Sequence, residues 1–93
     1  MPSHTYTELV AAGAPELPEG YCYRVAISDE AEYEVWAEKI LDKYNGPSGL
    51  AFIPRGVYLN LNTIVRACGE AQKELAAVMR RKDLENEWLG VYK

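Results

Sequence analysis

Ser3, His4, Cys22, Ser28, Ser48 and Cys68 are the candidates for nucleophilic work in this 93-residue chain. A serine or cysteine nucleophile needs a base held beside it, and a metal needs several ligands at close spacing. The one histidine stands almost at the N-terminus, and Cys22 and Cys68 lie far apart with no second histidine. The segment Gly46-Pro47-Ser48-Gly49 has two glycines but no following Lys-Ser/Thr, so it fails as a phosphate loop. No catalytic residue, metal ligand or cofactor-binding residue is therefore assigned, and a non-enzyme is expected.

Charge offers a different kind of chemistry. Glu30, Glu34, Glu38 and Asp42 recur at four-residue spacing. If that stretch is helical, they form one acidic stripe, and each like pair costs about 0.2–0.5 kcal/mol. A solvated face explains such a run, and so does a docking surface for a basic partner. Along a helix the step is about 6 Å, near the spacing of phosphates on one strand. An alternative binding surface is an open sheet face carrying Arg24 and Tyr58, with Asn60 and Asn62, which could stack a small ligand or single-stranded RNA. Overall charge weighs against nucleic acid. The chain is −4, and residues 1–50 hold nine acids against three bases, net −6. The remainder holds five acids and seven bases, net +2.

The elements that would position these residues are legible from periodicity. Ile64, Cys68, Ala71, Leu75 and Val78 fall at alternating gaps of four and three, which predicts an amphipathic helix over Asn62–Lys82. Asn62 or Thr63 can cap its start, and Arg80, Arg81 and Lys82 suit its last turn. Gly69 in its middle costs about 1 kcal/mol against alanine and suggests close approach of another backbone.

Thr5 and Glu8 have capping-box spacing before a short helix, Tyr6–Ala12, and Pro15 and Pro18 make the next stretch a linker. Tyr21–Ile27 alternates as a strand with one buried face. Asp29–Tyr44 reads as a second helix, capped at Asp29 and stopped at Asn45-Gly46-Pro47; the rival reading makes Tyr33–Lys39 a strand paired with Tyr21–Ile27. Leu50–Ile53 and Val57–Leu61 read as a hairpin, with Gly56 available for positive φ. Asp83 can cap a further turn through Leu84–Leu89, or residues 87–92 form a last strand.

The expected fold is α+β, a two-layer sandwich. A small antiparallel three-stranded sheet carries two main helices on one face, in the order β-α-β-β-α after a short N-terminal helix. The first strand lies beside the third, with the second at an edge. The alternative is ferredoxin-like, with a fourth strand at 87–92. The chain is read as one domain over residues 1–93, with 1–20 as the short helix and linker and 21–93 as the core. No stretch is apolar enough to span a membrane, no secretory signal opens the chain, and a cytoplasmic protein with free thiols is expected.

The opening Met-Pro-Ser-His-Thr-Tyr-Thr-Glu-Leu-Val-Ala-Ala-Gly-Ala-Pro-Glu-Leu-Pro-Glu-Gly-Tyr-Cys-Tyr-Arg-Val resembles the start of small accessory proteins of actinobacterial phages, mycobacteriophages especially. The likeness covers about the first quarter of the chain and includes no catalytic motif. It implies a product made in the host cytoplasm that binds a host protein and is in some cases toxic to the host. No functional residue carries over. A homo-oligomeric structural role is a further alternative. Seven tyrosines and two tryptophans exceed what so small a core needs, and Trp88, Leu89, Val91 and Tyr92 could complete the sheet or meet a second copy in a homodimer.

Overall fold

The computed structural model describes residues 5–27, 33–40 and 46–91, the last nine of these by their backbone alone. Helix α1 (Tyr6–Ala11) precedes strands β1 (Tyr21–Ile27), β2 (Tyr33–Lys39) and β3 (Gly49–Ile53), and helix α2 (Leu61–Val91) follows. The sheet is an antiparallel meander in the order β1-β2-β3. Tyr21 pairs with Lys39 and Ile27 with Tyr33 on one side of β2, and Tyr33 with Ile53 and Ala37 with Gly49 on the other.

The α+β class and the three-stranded antiparallel sheet stand, but the elements that supply them differ from the sequence reading. The expected helix Asp29–Tyr44 is replaced at Tyr33–Lys39 by the central strand. Period two wins over period 3.6 because Val35 and Ala37 are completely buried on one face while Glu34 and Trp36 stand on the other. A helix would also have aligned the acids, which the strand instead alternates with Val35 and Ala37. Asp29 and Tyr44 themselves lie outside the described residues. The expected hairpin is also corrected. Val57 donates its N–H to the Pro54 carbonyl across a tight turn with Gly56 at φ 90°, and the chain then enters α2 without a strand. Strand β3 therefore pairs with β2, leaving β2 in the centre and β3 at an edge.

Helix α2 starts at the cap Asn60, not at Asn62 or Thr63. Asn60 Oδ1 accepts from the Thr63 N–H at 2.9 Å, and Thr63 Oγ1 accepts from the Asn60 N–H at 3.0 Å. The helix then continues for 31 residues, roughly 46 Å at 1.5 Å each, through Asp83 and past Lys82. The stretch 84–89 is thus no separate turn, and residues 87–91 are helix, which removes the ferredoxin-like alternative. Tyr92 lies outside the described residues.

The predicted stripe is the core. Ile64, Cys68, Ala71 and Leu75 are at most 1% exposed and face Val35, Ala37 and Ala51 of the sheet. Burying each large apolar side chain there contributes about 1.5–3 kcal/mol. Small residues let helix and sheet approach so closely that a Cβ on Gly49 would overlap the Ala71 carbonyl. The close approach expected at Gly69 occurs at Gly49 instead; a Cβ at Gly69 would meet nothing.

The N-terminal segment closes the β1 side. Thr5 caps α1 through a bond from the Glu8 N–H to Thr5 Oγ1, as its spacing predicted. Leu9 and Ala14 enter the core, and Gly13 lies within van der Waals reach of Val65. The Tyr6 and Tyr23 rings stack at 5.8 Å. Tyr23 donates its hydroxyl proton to the Pro15 carbonyl at 2.6 Å, and the Leu17 N–H donates to the Tyr6 hydroxyl at 2.7 Å. Two tyrosines thereby pin the linker onto the sheet.

Candidate interaction surface

Strand alternation puts Cys22, Arg24 and Ala26 of β1 on the sheet face away from α2, opposite Glu38, Trp36 and Glu34 of β2. Arg24 Nε donates to Glu38 Oε1 at 2.6 Å, its guanidinium lies 5.7 Å over the Trp36 ring, and Trp36 Nε1 donates to Glu34 Oε2 at 3.2 Å. Glu38 is 6% exposed. Its carboxylate is thus withdrawn from solvent and matched by a cation, which is the arrangement a buried charge requires. Glu34 and Glu38 of the expected acidic stripe thus join Arg24 and Trp36 in one hydrogen-bonded cluster. Glu30 and Asp42 lie outside the described residues. Tyr58 is 79% exposed on the connection from β3 to α2, at the opposite edge of the sheet from Arg24, so those two residues are not brought together.

The thiols are equally separated. Cys22 is on the outer face and Cys68 is fully buried beneath the inner one, both free. Burial pushes the Cys68 thiol up to about 11, and burial with the nearby Glu38 charge raises Cys22. Neither is set up as a thiolate nucleophile. Ser48 lies just before β3, whereas Ser3, His4 and Ser28 lie outside the described residues. Among the described residues no three His, Cys, Asp or Glu side chains gather as a metal site, and no helix is long and apolar enough to cross a membrane.

One concave feature lies beside β3, where the sequence reading had paired the strand Val57–Leu61. Between the end of β3, the turn after it and the near flank of α2 is a groove of about 500 Å³. Phe52, Pro54 and Val57 form one wall; Arg66, Gly69 and Lys73 belong to the other. Lys73 Nζ reaches Glu70 Oε1 at 3.4 Å, an exposed pair of little energetic weight. Among the described residues Arg66 has no carboxylate partner. The groove therefore carries one net positive charge on a chain of −4.

Two of its lining side chains, Phe52 and Val57, are 50% and 45% exposed, and Tyr58 and Leu61 on the connection into α2 are exposed as well. Ile27 and Ile40, at the ends of β1 and β2, are the other large apolar side chains in solvent among the described residues. A larger hollow, about 710 Å³ beside Gln72, Ala76 and Arg80, is lined among the described residues by α2 alone. Sequence reasoning missed the groove because it turned Val57–Leu61 into a strand. Its available signal was Gly69, a helix-interior glycine that no contact within the fold explains.

No family model, no curated protein and no solved structure matches the chain.

Proposed function

We propose that this is a small non-enzymatic accessory protein that binds a host protein, and that it does so through the side formed by β3, the following turn and the start of α2. The observation that carries this is the exposure of Phe52 and Val57 in the groove, with Tyr58 and Leu61 exposed on the connection from β3 to α2. Leaving four large apolar side chains in water on so small a chain forgoes burial energy that a partner would recover. Aromatic and branched side chains of this kind anchor protein interfaces. The phage setting, and with it inhibition of the host, rests on the resemblance of the N-terminal quarter and places the encounter in the host cytoplasm.

A basic partner for the acidic residues is a weaker reading, because Glu38 is already neutralised by Arg24 and Glu34 is engaged by Trp36. Capture from an actinobacterial lysate tests the proposal, comparing wild type with Val57→Ser/Tyr58→Ser and with Glu34→Lys. A protein retained by wild type and by Glu34→Lys, but lost from the double variant, supports the apolar side. Loss in Glu34→Lys alone moves the contact to the outer sheet face. Retention by wild type and both variants removes both surfaces.

A further inference from the structure

Strand β3 is an edge, and its hydrogen-bonding direction follows from one bond. The Ile40 N–H donates to the Gly20 carbonyl at 2.9 Å, so in the continuous register even-numbered residues of β1 and β2 face each other through their backbone groups. The odd-numbered residues of β2 then face β3, and Gly49, Ala51 and Ile53 complete that ladder. Leu50 and Phe52 direct their N–H and C=O groups outward, where no described backbone group meets them. Open edge groups are a template for another strand. Beside them, instead of bulk solvent on both sides, is the groove walled by α2.

Resting on the protein-binding role proposed above, we infer that the partner contributes an extended segment that adds to β3 as a fourth strand, with alternate apolar side chains in the groove and an acidic residue at Arg66 and Lys73. Each part of the site matches one part of such a ligand. The Leu50 and Phe52 backbone groups supply main-chain hydrogen bonds irrespective of sequence, and the wall formed by Phe52, Pro54 and Val57 receives side chains at the two-residue period of a strand. Arg66, free of a carboxylate among the described residues, selects the acid; on a chain of −4 this local excess of positive charge discriminates against basic segments.

The test is selection of a random displayed peptide library on the full-length chain, followed by affinity measurement with purified variants. Enriched peptides should alternate apolar residues and carry Asp or Glu. Phe52→Pro deletes an outward N–H while leaving the internal ladder intact, a substitution edge strands accept. It should weaken the selected peptide about threefold to tenfold beyond Phe52→Ala, which removes only the ring. Arg66→Glu/Lys73→Glu should weaken it further and reverse its salt dependence, since screening then relieves repulsion. Circular dichroism confirms that each variant is folded.

No enrichment, enrichment of basic peptides, or indifference to Phe52→Pro overturns the strand addition. A concentration-dependent dimer of the protein, abolished by Phe52→Pro, makes the occupant the β3 of a second copy and likewise overturns it. Host-protein capture that needs Val57 and Tyr58 but ignores Phe52→Pro leaves protein binding standing and sinks only this mode.

Discussion

On the β1 side of α2 the chain folds its own N-terminal segment down, fixing it with the Tyr6–Tyr23 stack and two hydrogen bonds from or to tyrosine hydroxyls. On the β3 side it does nothing comparable: the chain turns at Gly56, caps the helix at Asn60 and leaves a groove. Both flanks belong to the same helix and the same sheet. The difference lies in what the chain adds to each flank: α1 and the linker contribute Leu9 and Ala14 to the core, whereas the short connection after β3 leaves Phe52 and Val57 half exposed. Stability resides in the seam under α2 that both flanks share, and the open flank is the one on which the proposed partner would bury apolar surface.

The most severe way to break this comparison is to remove what both flanks share. Leu75 is 1% exposed at the centre of the seam, and Leu75→Asp should unfold the protein, since an unpaired charge cannot be desolvated there. Wild-type thermal stability in that variant would mean the seam is not the core.

The two glycines facing α2 and along it sharpen the contrast, because their alanine substitutions should have opposite signs. Gly49→Ala drives a methyl into the Ala71 carbonyl and should destabilise by about 3 kcal/mol in denaturant titrations. Gly69→Ala meets open space and should stabilise by up to about 1 kcal/mol. Equal signs would show that the closeness of β3 to the helix is misplaced.

Tyr23→Phe tests the closed flank alone. It deletes the bond to Pro15 and should cost about 1 kcal/mol, with faster proteolysis in residues 14–20. An unchanged proteolytic pattern would mean that the linker is held by something other than Tyr23.

How much of this was legible in the sequence depends on the competition at each element. The stripe from Ile64 to Leu75, the strand Tyr21–Ile27 and the Thr5 cap were readable because pattern and propensity agree there. Residues 33–39 were not, because Tyr33, Trp36, Ala37 and Ile40 also satisfy a helical spacing, and only pairing on both sides of β2 decides for a strand. Glu34 and Glu38 illustrate the consequence. Their four-residue spacing looked like a free stripe, whereas the partners that engage them, Trp36 and Arg24, lie along and across strands that the helical reading kept apart.

The gentlest perturbation of the closed side is pH. Burial holds the Cys68 thiol at about 11, above its ordinary 9.0, so the folded chain keeps a proton that the unfolded chain releases first. That contribution is present in full below about pH 9 and is lost as pH rises through the folded value. Tyr23, raised mainly by burial and then by the charges of Cys68 and Tyr6, extends the loss to higher pH. Tm should therefore fall between pH 9 and 11, less steeply in Cys68→Ala. A flat profile in the wild type would contradict the burial.

The open edge of β3 is measured most directly by amide hydrogen exchange resolved to single residues. The Ala51 and Ile53 amides, bonded into the ladder with β2, should exchange slowly, and the Leu50 and Phe52 amides, which alternate with them, should exchange far faster. A fast–slow alternation along β3 is the result expected for an open edge. Uniform protection from Leu50 to Ile53 would mean that the edge is already occupied and the groove closed.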